Sequence, residues 1–169
     1  MLKLMGALAV IGACLALGSY RAAELRARAR LLSALCSALE LLSSEITCRL
    51  TDLPDAAERL SLGGPAASRD FFAMLAQRME RIGERGFSEI WDECVAELPS
   101  LAEAERSALC ELGLALGRYG AQEQAQAIAL CRDTLGAAAE RESGEAARGG
   151  KLATSLGLTV GLLLAVLLI

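Results

Sequence analysis

The stretch RAAELRARARLLSALCSALELLSSEITCRL, residues 21–50, carries the pattern that decides the fold. Its large apolar residues recur at spacings of seven, three, four, three and four: Leu25, Leu32, Leu35, Leu39, Leu42 and Ile46. Such a period places all of them on one side of an α-helix. The seam covers about three heptads, which favours a core inside this chain, and a coiled coil with a partner helix stays open as the alternative.

The segment that precedes this helix contains no charged residue from position 4 to position 20. A helix rises about 1.5 Å per residue, and about 17–25 apolar residues cross the core of a bilayer. Residues 1–20 are therefore predicted to form a transmembrane helix. No glycine or proline occurs between Ser19 and Leu53, so this helix is expected to continue into the helix of residues 21–50.

The opposite end of the chain repeats this feature, because residues 152–169 are also free of charge. They are predicted to form a second transmembrane helix. Residues 21–151 then form one domain, with sixteen basic and twenty-one acidic residues. That acidic balance lacks the basic stripe of a nucleic-acid-binding protein.

Three interpretations compete for the first segment: an uncleaved anchor, a signal peptide cleaved near Ala16-Leu17-Gly18, and a lipoprotein box, Ile11-Gly12-Ala13-Cys14, acylated at Cys14. Basic residues flank the inner ends of both segments: Arg21, Arg26, Arg28, Arg30, Arg141, Arg148 and Lys151. An excess of Lys and Arg marks the cytoplasmic side of a span. This favours an uncleaved anchor and a hairpin, with both termini outside and residues 21–151 in the cytoplasm.

The remainder of the domain is predicted to form five further helices. The first contains Pro54 and ends at Gly63-Gly64-Pro65; the second starts near Ala66, carries Phe71, Leu75, Met79 and Ile82, and ends at Gly83 and Gly86. A third has Ser88 as its cap, contains Trp91 and is closed by Pro99. A capping box, Ser100 with Glu103, opens the fourth, and the last runs from Ala121 into the 140s before Gly149-Gly150.

No segment shows the two-residue alternation of a strand, so the predicted fold class is all-α: a bundle of about six helices between two transmembrane helices. Phe71, Phe72 and Trp91 are predicted to fill its core, with a surface anchor as the alternative for Trp91. Gly113 and Gly117 are predicted to allow a close helix contact. Gly157 and Gly161 have the same spacing in the second span, where small residues let helices associate.

The chain offers no residues for catalysis, and we predict no catalytic, cofactor-binding or metal-binding residue. It has no histidine, and its six cysteines form no C-x-x-C, which excludes the common zinc, haem and nucleophile–histidine sites. The cysteines are interpreted as small buried residues in a reducing compartment. The acidic pairs are interpreted as solvated faces: Asp92 with Glu93, Glu103 with Glu105, and Glu140 with Glu142. Gly63-Gly64-Pro65 lacks the strand and lysine of a phosphate loop.

Several segments, taken in order, resemble the stage III sporulation protein AB family of endospore-forming bacteria. They are residues 1–7, the arginine cluster with its leucine seam, residues 39–46, Leu53-Pro54, residues 114–117, Gln124 with Ile128, residues 155–158 and residues 161–164. The chain departs from the family at Gln126 and Ala127, where a basic residue and a histidine are usual.

The resemblance implies a structural membrane platform subunit of the trans-envelope channel between mother cell and forespore. It implies a soluble domain similar to the helical bundle of the platform proteins of type II secretion and type IV pilus systems, acting beside a cytoplasmic ring ATPase and other channel subunits. It implies no enzyme activity, cofactor, small-molecule substrate or nucleic acid, and a homo-oligomer stays open. The alternatives are a platform subunit of another secretion or pilus machine and an exported protein lipidated at Cys14.

Overall fold

The computed structural model describes the chain over residues 2–80, 86–116 and 118–168, with side chains at residue 16 and over 19–80, 86–116 and 118–149. Within these ranges the structure contains helices and no strand, as the sequence predicts. The elements are α1 (Leu2–Cys48), α2 (Leu53–Gly63), a 3₁₀ turn (Ala66–Ser68), α3 (Arg69–Met79), α4 (Phe87–Ala96), α5 (Glu103–Leu116) and α6 (Ala121–Leu168).

The chain divides into two compact units. The two-helix unit consists of Met1–Ala29 and Glu140–Ile169, and the six-helix unit is Arg30–Ala139. The two long helices, α1 and α6, each contain residues of both units without a break. α1 has no break between Leu2 and Cys48, as predicted, whereas α6 extends further than expected: Gly149-Gly150 does not end it. A glycine inside a helix costs only about 1 kcal/mol, which a long helix tolerates.

The leucine seam of α1 forms the centre of the six-helix unit. Leu32, Leu35, Leu39, Leu42 and Ile46 are all buried, and they belong to one apolar cluster with residues of the five other helices. α2 packs on α3, α3 on α4, and α4 on α5. The seam is therefore a core within the chain rather than a surface for a separate helix.

Trp91 is fully buried and organises the aromatic part of this core. Its ring meets the ring of Phe71 edge to face at 5.2 Å, and Phe71 meets Phe72 in the same manner at 5.1 Å. The indole Nε1–H donates a hydrogen bond of 2.7 Å to the carbonyl of Leu109 on α5. The prediction of core aromatics is confirmed, and the alternative of a surface anchor at Trp91 is wrong.

Gly113 is the reason that Trp91 can lie so close to α5. A Cβ at this position would come within 2.8 Å of Trp91 Cγ and 3.1 Å of its Nε1. The predicted close contact is therefore confirmed at Gly113, where α5 receives an indole ring rather than another helix backbone. Gly117, the second glycine of the motif, lies outside the described residues.

Two predicted helix starts are wrong. Gly86, not Ser88, is the N-cap of α4. The capping box at Ser100 does not form, because Ser100 has a left-handed backbone (φ 58°) and α5 begins only at Glu103. Instead the buried carboxylate of Glu105 accepts a hydrogen bond of 2.8 Å from the backbone N–H of Ala102, so the motif is displaced by two residues. Ile82 and Gly83 lie outside the described residues.

One described segment, Ser19–Cys48, is long and apolar enough to cross a membrane when judged by length and composition. Four of its leucines are buried in the six-helix core, which is typical of a core helix: Leu32, Leu35, Leu39 and Leu42. The predicted spans are residues 1–20 and 152–169. Within them the backbone is helical over residues 2–20 and 152–168. Their side chains, apart from those at residues 16, 19 and 20, lie outside the described residues, as do Cys14, Gly157 and Gly161.

Candidate interaction surface

Burial raises the pKa of four described cysteines: Cys36, Cys94, Cys110 and Cys131. Partial burial, followed by the Asp92 carboxylate, raises the pKa of Cys110 to about 11. Burial, followed by the neighbouring Cys36, raises the pKa of Cys131 to about 12. A thiol with such a pKa is a poor nucleophile at neutral pH, since the thiolate is the reactive species.

Two further thiols are held by polar neighbours. Burial raises the pKa of Cys36, whose Sγ lies 3.6 Å from the carbonyl oxygen of Arg132 and donates to it. Burial also raises the pKa of Cys94, and the Arg78 guanidinium at 3.9 Å from its Sγ opposes this effect. Cys48 differs from the others because it is exposed, so the prediction of buried cysteines is wrong at this position.

The acidic pairs divide into solvated and structural carboxylates. Asp92 and Glu93 are exposed as predicted, and Glu93 lies 3.5 Å from Arg78 of α3. Glu105 is only 3 % exposed, because it serves the start of α5. Within the described residues no group of three Cys, His, Asp or Glu side chains could hold a metal ion.

One concave surface among the described residues is an open cleft of about 510 Å³ in the six-helix unit. Its lining combines apolar side chains with three polar ones: Ile46, Thr51, Asp52, Leu53, Pro54, Met79, Phe87, Leu116 and Gln124. These residues come from six helix ends. α1, α3 and α5 end beside the cleft, and α2, α4 and α6 begin there.

Local hydrogen bonds shape the walls of this cleft. The Gln124 side-chain amide donates to the carbonyls of Leu116 (2.9 Å) and Tyr119 (2.8 Å), and so satisfies acceptors that the end of α5 leaves open. On the facing wall, Thr51 donates through its hydroxyl to the Glu45 carboxylate at 3.1 Å, and its N–H bonds the Glu45 carbonyl. Both bonds tie a loop to a helix end, so the cleft is built by the fold itself.

Leu50 follows the end of α1 in an unfavourable backbone conformation. Its φ is 52°, in the left-handed region, and 78 % of its surface is exposed. Helices commonly end in this conformation with glycine, which has no Cβ to strain the backbone. At Leu50 the chain instead presents a large apolar side chain to solvent, one residue before the cleft-lining Thr51.

The sequence predicted none of this surface as a site. In the sequence, Pro54 and Met79 are parts of predicted helices, and Gln124 is a position that resembles the family. Nothing in their spacing shows that six helix ends converge. The two departures from the family pattern are not in the cleft: Gln126 is exposed, and Ala127 packs against the core.

This chain matches a known protein family. The family model described as stage III sporulation protein AB matches residues 3–169, nearly the whole chain. Comparisons with curated proteins and with solved structures gave no match.

Proposed function

Because this chain belongs to the stage III sporulation protein AB family, we propose that it is a structural membrane subunit of the trans-envelope channel between mother cell and forespore. Residues 1–20 and 152–169 are its two spans, and residues 21–151 form a cytoplasmic platform that receives a ring ATPase and other channel subunits. The family match makes it a stage III sporulation protein; the platform role is the proposal.

One observation carries the mechanism: the helices that would cross the membrane are the same helices that build the six-helix core. α1 includes the uncharged residues 4–20 and the buried seam from Leu32 to Ile46. α6 includes the buried Ile128 and Leu135 and the uncharged residues 152–168. In each case one continuous helix contains both the uncharged segment and the core segment.

The pairing of α1 with α6 supports the hairpin topology. In the six-helix unit Cys36 and Glu40 both contact Arg132, at 3.6 Å and 3.5 Å. In the two-helix unit Arg28 lies 2.6 Å from Glu142. Positions that rise along α1 meet positions that fall along α6, so the two helices are antiparallel.

A non-catalytic role agrees with the state of the thiols. The raised pKa values of Cys110 and Cys131 keep both groups protonated at neutral pH. The arginines at the inner ends of both predicted spans favour the cytoplasmic side for the domain between them.

The topology can be tested by labelling intact cells with a membrane-impermeant maleimide. Cys48 is the suitable target because it is exposed, whereas the raised pKa of Cys110 makes that thiol a slow reporter. We expect labelling of Cys48 only after the membrane is permeabilised. The Cys48→Ser variant serves as the control for the assignment of the label, and rapid labelling of Cys48 in intact cells would contradict a cytoplasmic domain.

The partner assignment requires a separate experiment. Cross-linking in sporulating cells, followed by purification of this chain from membranes, should recover a ring ATPase together with other membrane subunits. Consistent recovery of the chain without them would refute the channel role while leaving the topology intact.

A further inference from the structure

We propose that the residues bordering the uncharged segments of the two-helix unit bind the headgroups of anionic phospholipids. These residues are Tyr20, Arg21, Arg148 and Lys151, which we call the collar. The proposal deepens the proposed function and rests on it in one respect, the two membrane spans. The occupant follows from the exposure, the partners and the order of the charged groups within this unit.

Arg21 and Arg148 lie at the same level of the helix pair. The contact of Arg28 with Glu142 at 2.6 Å fixes the register of the two antiparallel helices in this unit. Arg21 is seven residues before Arg28 on α1, and Arg148 is six residues after Glu142 on α6. At about 1.5 Å per residue, both arginines lie about 9–11 Å beyond that ion pair in the same direction. They therefore belong to one surface rather than to two separate ones.

These two arginines are available to a partner outside the chain. Both are exposed, and neither Arg21 nor Arg148 forms an ion pair or a side-chain hydrogen bond among the described residues. The arginines further from the uncharged segments differ, because Arg28 lies in its ion pair, and Arg26 and Arg141 also interact with other groups of the chain. The fold therefore uses the second set of charges and not the first.

The order of the charges along the helix pair favours an anionic surface as the partner. The three charged residues nearest to the uncharged segments are all basic: Arg21, Arg148 and Lys151. The nearest carboxylates, those of Glu24 and Glu145, are exposed and lie three residues, or about 4.5 Å, further away on their own helices. The potential of a charged surface falls off within about 10 Å, so such a surface acts most strongly on the cations.

The sum of the charges agrees with their order. Residues 19–29 and 140–151 hold six basic and four acidic residues, whereas the six-helix unit, Arg30–Ala139, holds ten basic and seventeen acidic residues. Positive charge is thus concentrated next to the two uncharged segments. A lysine or arginine close to an anionic bilayer surface strengthens the attraction by a factor of about five.

Tyr20 marks the same boundary with a different kind of group. It is the last residue before Arg21, and its side chain is 73 % exposed. Tyrosine is enriched at membrane–water interfaces, where the ring lies among apolar groups and the hydroxyl reaches water. The neighbouring Ser19 donates its hydroxyl to the Ala16 carbonyl at 2.9 Å, so this polar group is satisfied inside the helix. Both features suit the headgroup region of a bilayer.

An acidic segment of another protein is the competing occupant. The lipid is favoured because the exposed arginines lie where both long helices pass from charged to uncharged sequence. With the two spans in a bilayer, that level of the helix pair is the membrane surface, and phosphate groups surround the collar there.

Lipid selectivity can be measured on the full-length chain reconstituted in phosphatidylcholine vesicles. Electron paramagnetic resonance of a spin-labelled lipid resolves the fraction whose motion the protein restricts. Spin-labelled phosphatidylglycerol, which is anionic, is compared with spin-labelled phosphatidylcholine, which is zwitterionic. We expect phosphatidylglycerol to associate about fivefold more strongly than phosphatidylcholine, and high salt to reduce this preference.

Substitutions assign the preference to the collar. Arg21→Gln together with Arg148→Gln should reduce it to about twofold or less, whereas Arg21→Lys together with Arg148→Lys keeps both charges and should retain it. Arg118→Gln removes an exposed arginine of the six-helix unit, and it should retain the preference as well. Equal association of the two lipids with the unsubstituted chain, or an unchanged preference in the double glutamine variant, would overturn the proposal.

The outcomes separate this proposal from the proposed function. If the restricted fraction is the same for both lipids, the lipid proposal fails and the two membrane spans stand. If the protein restricts neither lipid, the chain does not cross the bilayer, and both proposals fail.

Discussion

The two compact units bury different kinds of side chain along the same two helices. In the six-helix unit α1 and α6 bury large residues: Leu32, Leu35, Leu39, Leu42, Ile128 and Leu135. In the described part of the two-helix unit, residues 19–29 and 140–149, they bury alanines, Ala22, Ala29 and Ala146, beside the half-buried pair of Arg28 and Glu142. A leucine is covered completely only where several helices surround it, whereas two helices alone cover one narrow stripe of each other.

The difference predicts unequal stability. Burial of apolar area contributes about 25 cal/mol per Å², so a leucine core contributes much more than an alanine stripe of the same length. The six-helix unit should be the cooperative folding unit. The stability of the described part of the two-helix unit should depend on that core and on the ion pair of Arg28 with Glu142. The following substitutions test this contrast, from the largest expected effect to the smallest.

Gly113→Ala should cause the largest loss, because its Cβ overlaps the buried Trp91 ring. Overpacking of this kind costs about 2–3 kcal/mol of unfolding free energy. Urea titration of the full-length chain, followed by Trp91 fluorescence, measures the change. Gly136→Ala on α6 is the matched control, since a Cβ there meets nothing within 4 Å; it should stabilise the helix by up to about 1 kcal/mol. Equal effects of the two substitutions would contradict the packing of Trp91 on α5.

Glu105→Ala should cost about 1–2 kcal/mol, because it removes the acceptor of the Ala102 amide at the start of α5. Glu103→Ala is the matched control. Glu103 is exposed in the same helical turn, so its loss should change the unfolding free energy by about 0.5 kcal/mol or less. Thermal unfolding followed by circular dichroism distinguishes the two. A larger loss of stability for Glu103→Ala than for Glu105→Ala would contradict the Glu105 cap and would indicate the capping box of Ser100 with Glu103.

Arg28→Ala and Glu142→Ala should each cost about 1 kcal/mol, and the double variant little more than either, because the two side chains pair at 2.6 Å while part of each stays in solvent. Hydrogen exchange measured by mass spectrometry should show faster exchange in residues 21–29 and 140–149. Protection in the six-helix unit should be retained. Additive effects of the two substitutions would show that the pair is not coupled.

Alkaline pH should produce an effect that is absent at neutral pH. The pKa of Cys131 is raised from 9.0 to about 12, so the folded state retains a proton that the unfolded state loses first. This contribution is present below pH 9 and is lost as the pH rises toward 12. Urea titrations at pH 8 and pH 10 should show a smaller decline in Cys131→Ala than in the exposed-site control Cys48→Ala. An equal decline of the unfolding free energy in both variants would show that Cys131 is not the titrating group.

The all-α class, the number of helices and the core face of α1 were predictable from the sequence. Each depends on a signal within one segment of sequence. These signals are the leucine spacing from Leu32 to Ile46, Pro54 near a helix start, and Gly63-Gly64-Pro65 at a helix end. The helix starts at Ser88 and Ser100 were not predictable with the same certainty, because several neighbouring residues could cap each helix. Packing decided between them: the buried Glu105 caps α5, and Ser100 lies in the loop.

What the sequence by itself determined is therefore local: the helices, the buried face of α1, the uncharged ends, and the family. Three features join residues far apart in the chain: the contact of Trp91 with Gly113, the charge pair of Arg28 with Glu142, and the cleft. No period or motif records such distances, because the free energy of a helix depends on neighbours three and four residues away. Only the tertiary structure, in which six helix ends meet, placed Asp52 and Gln124 on one surface.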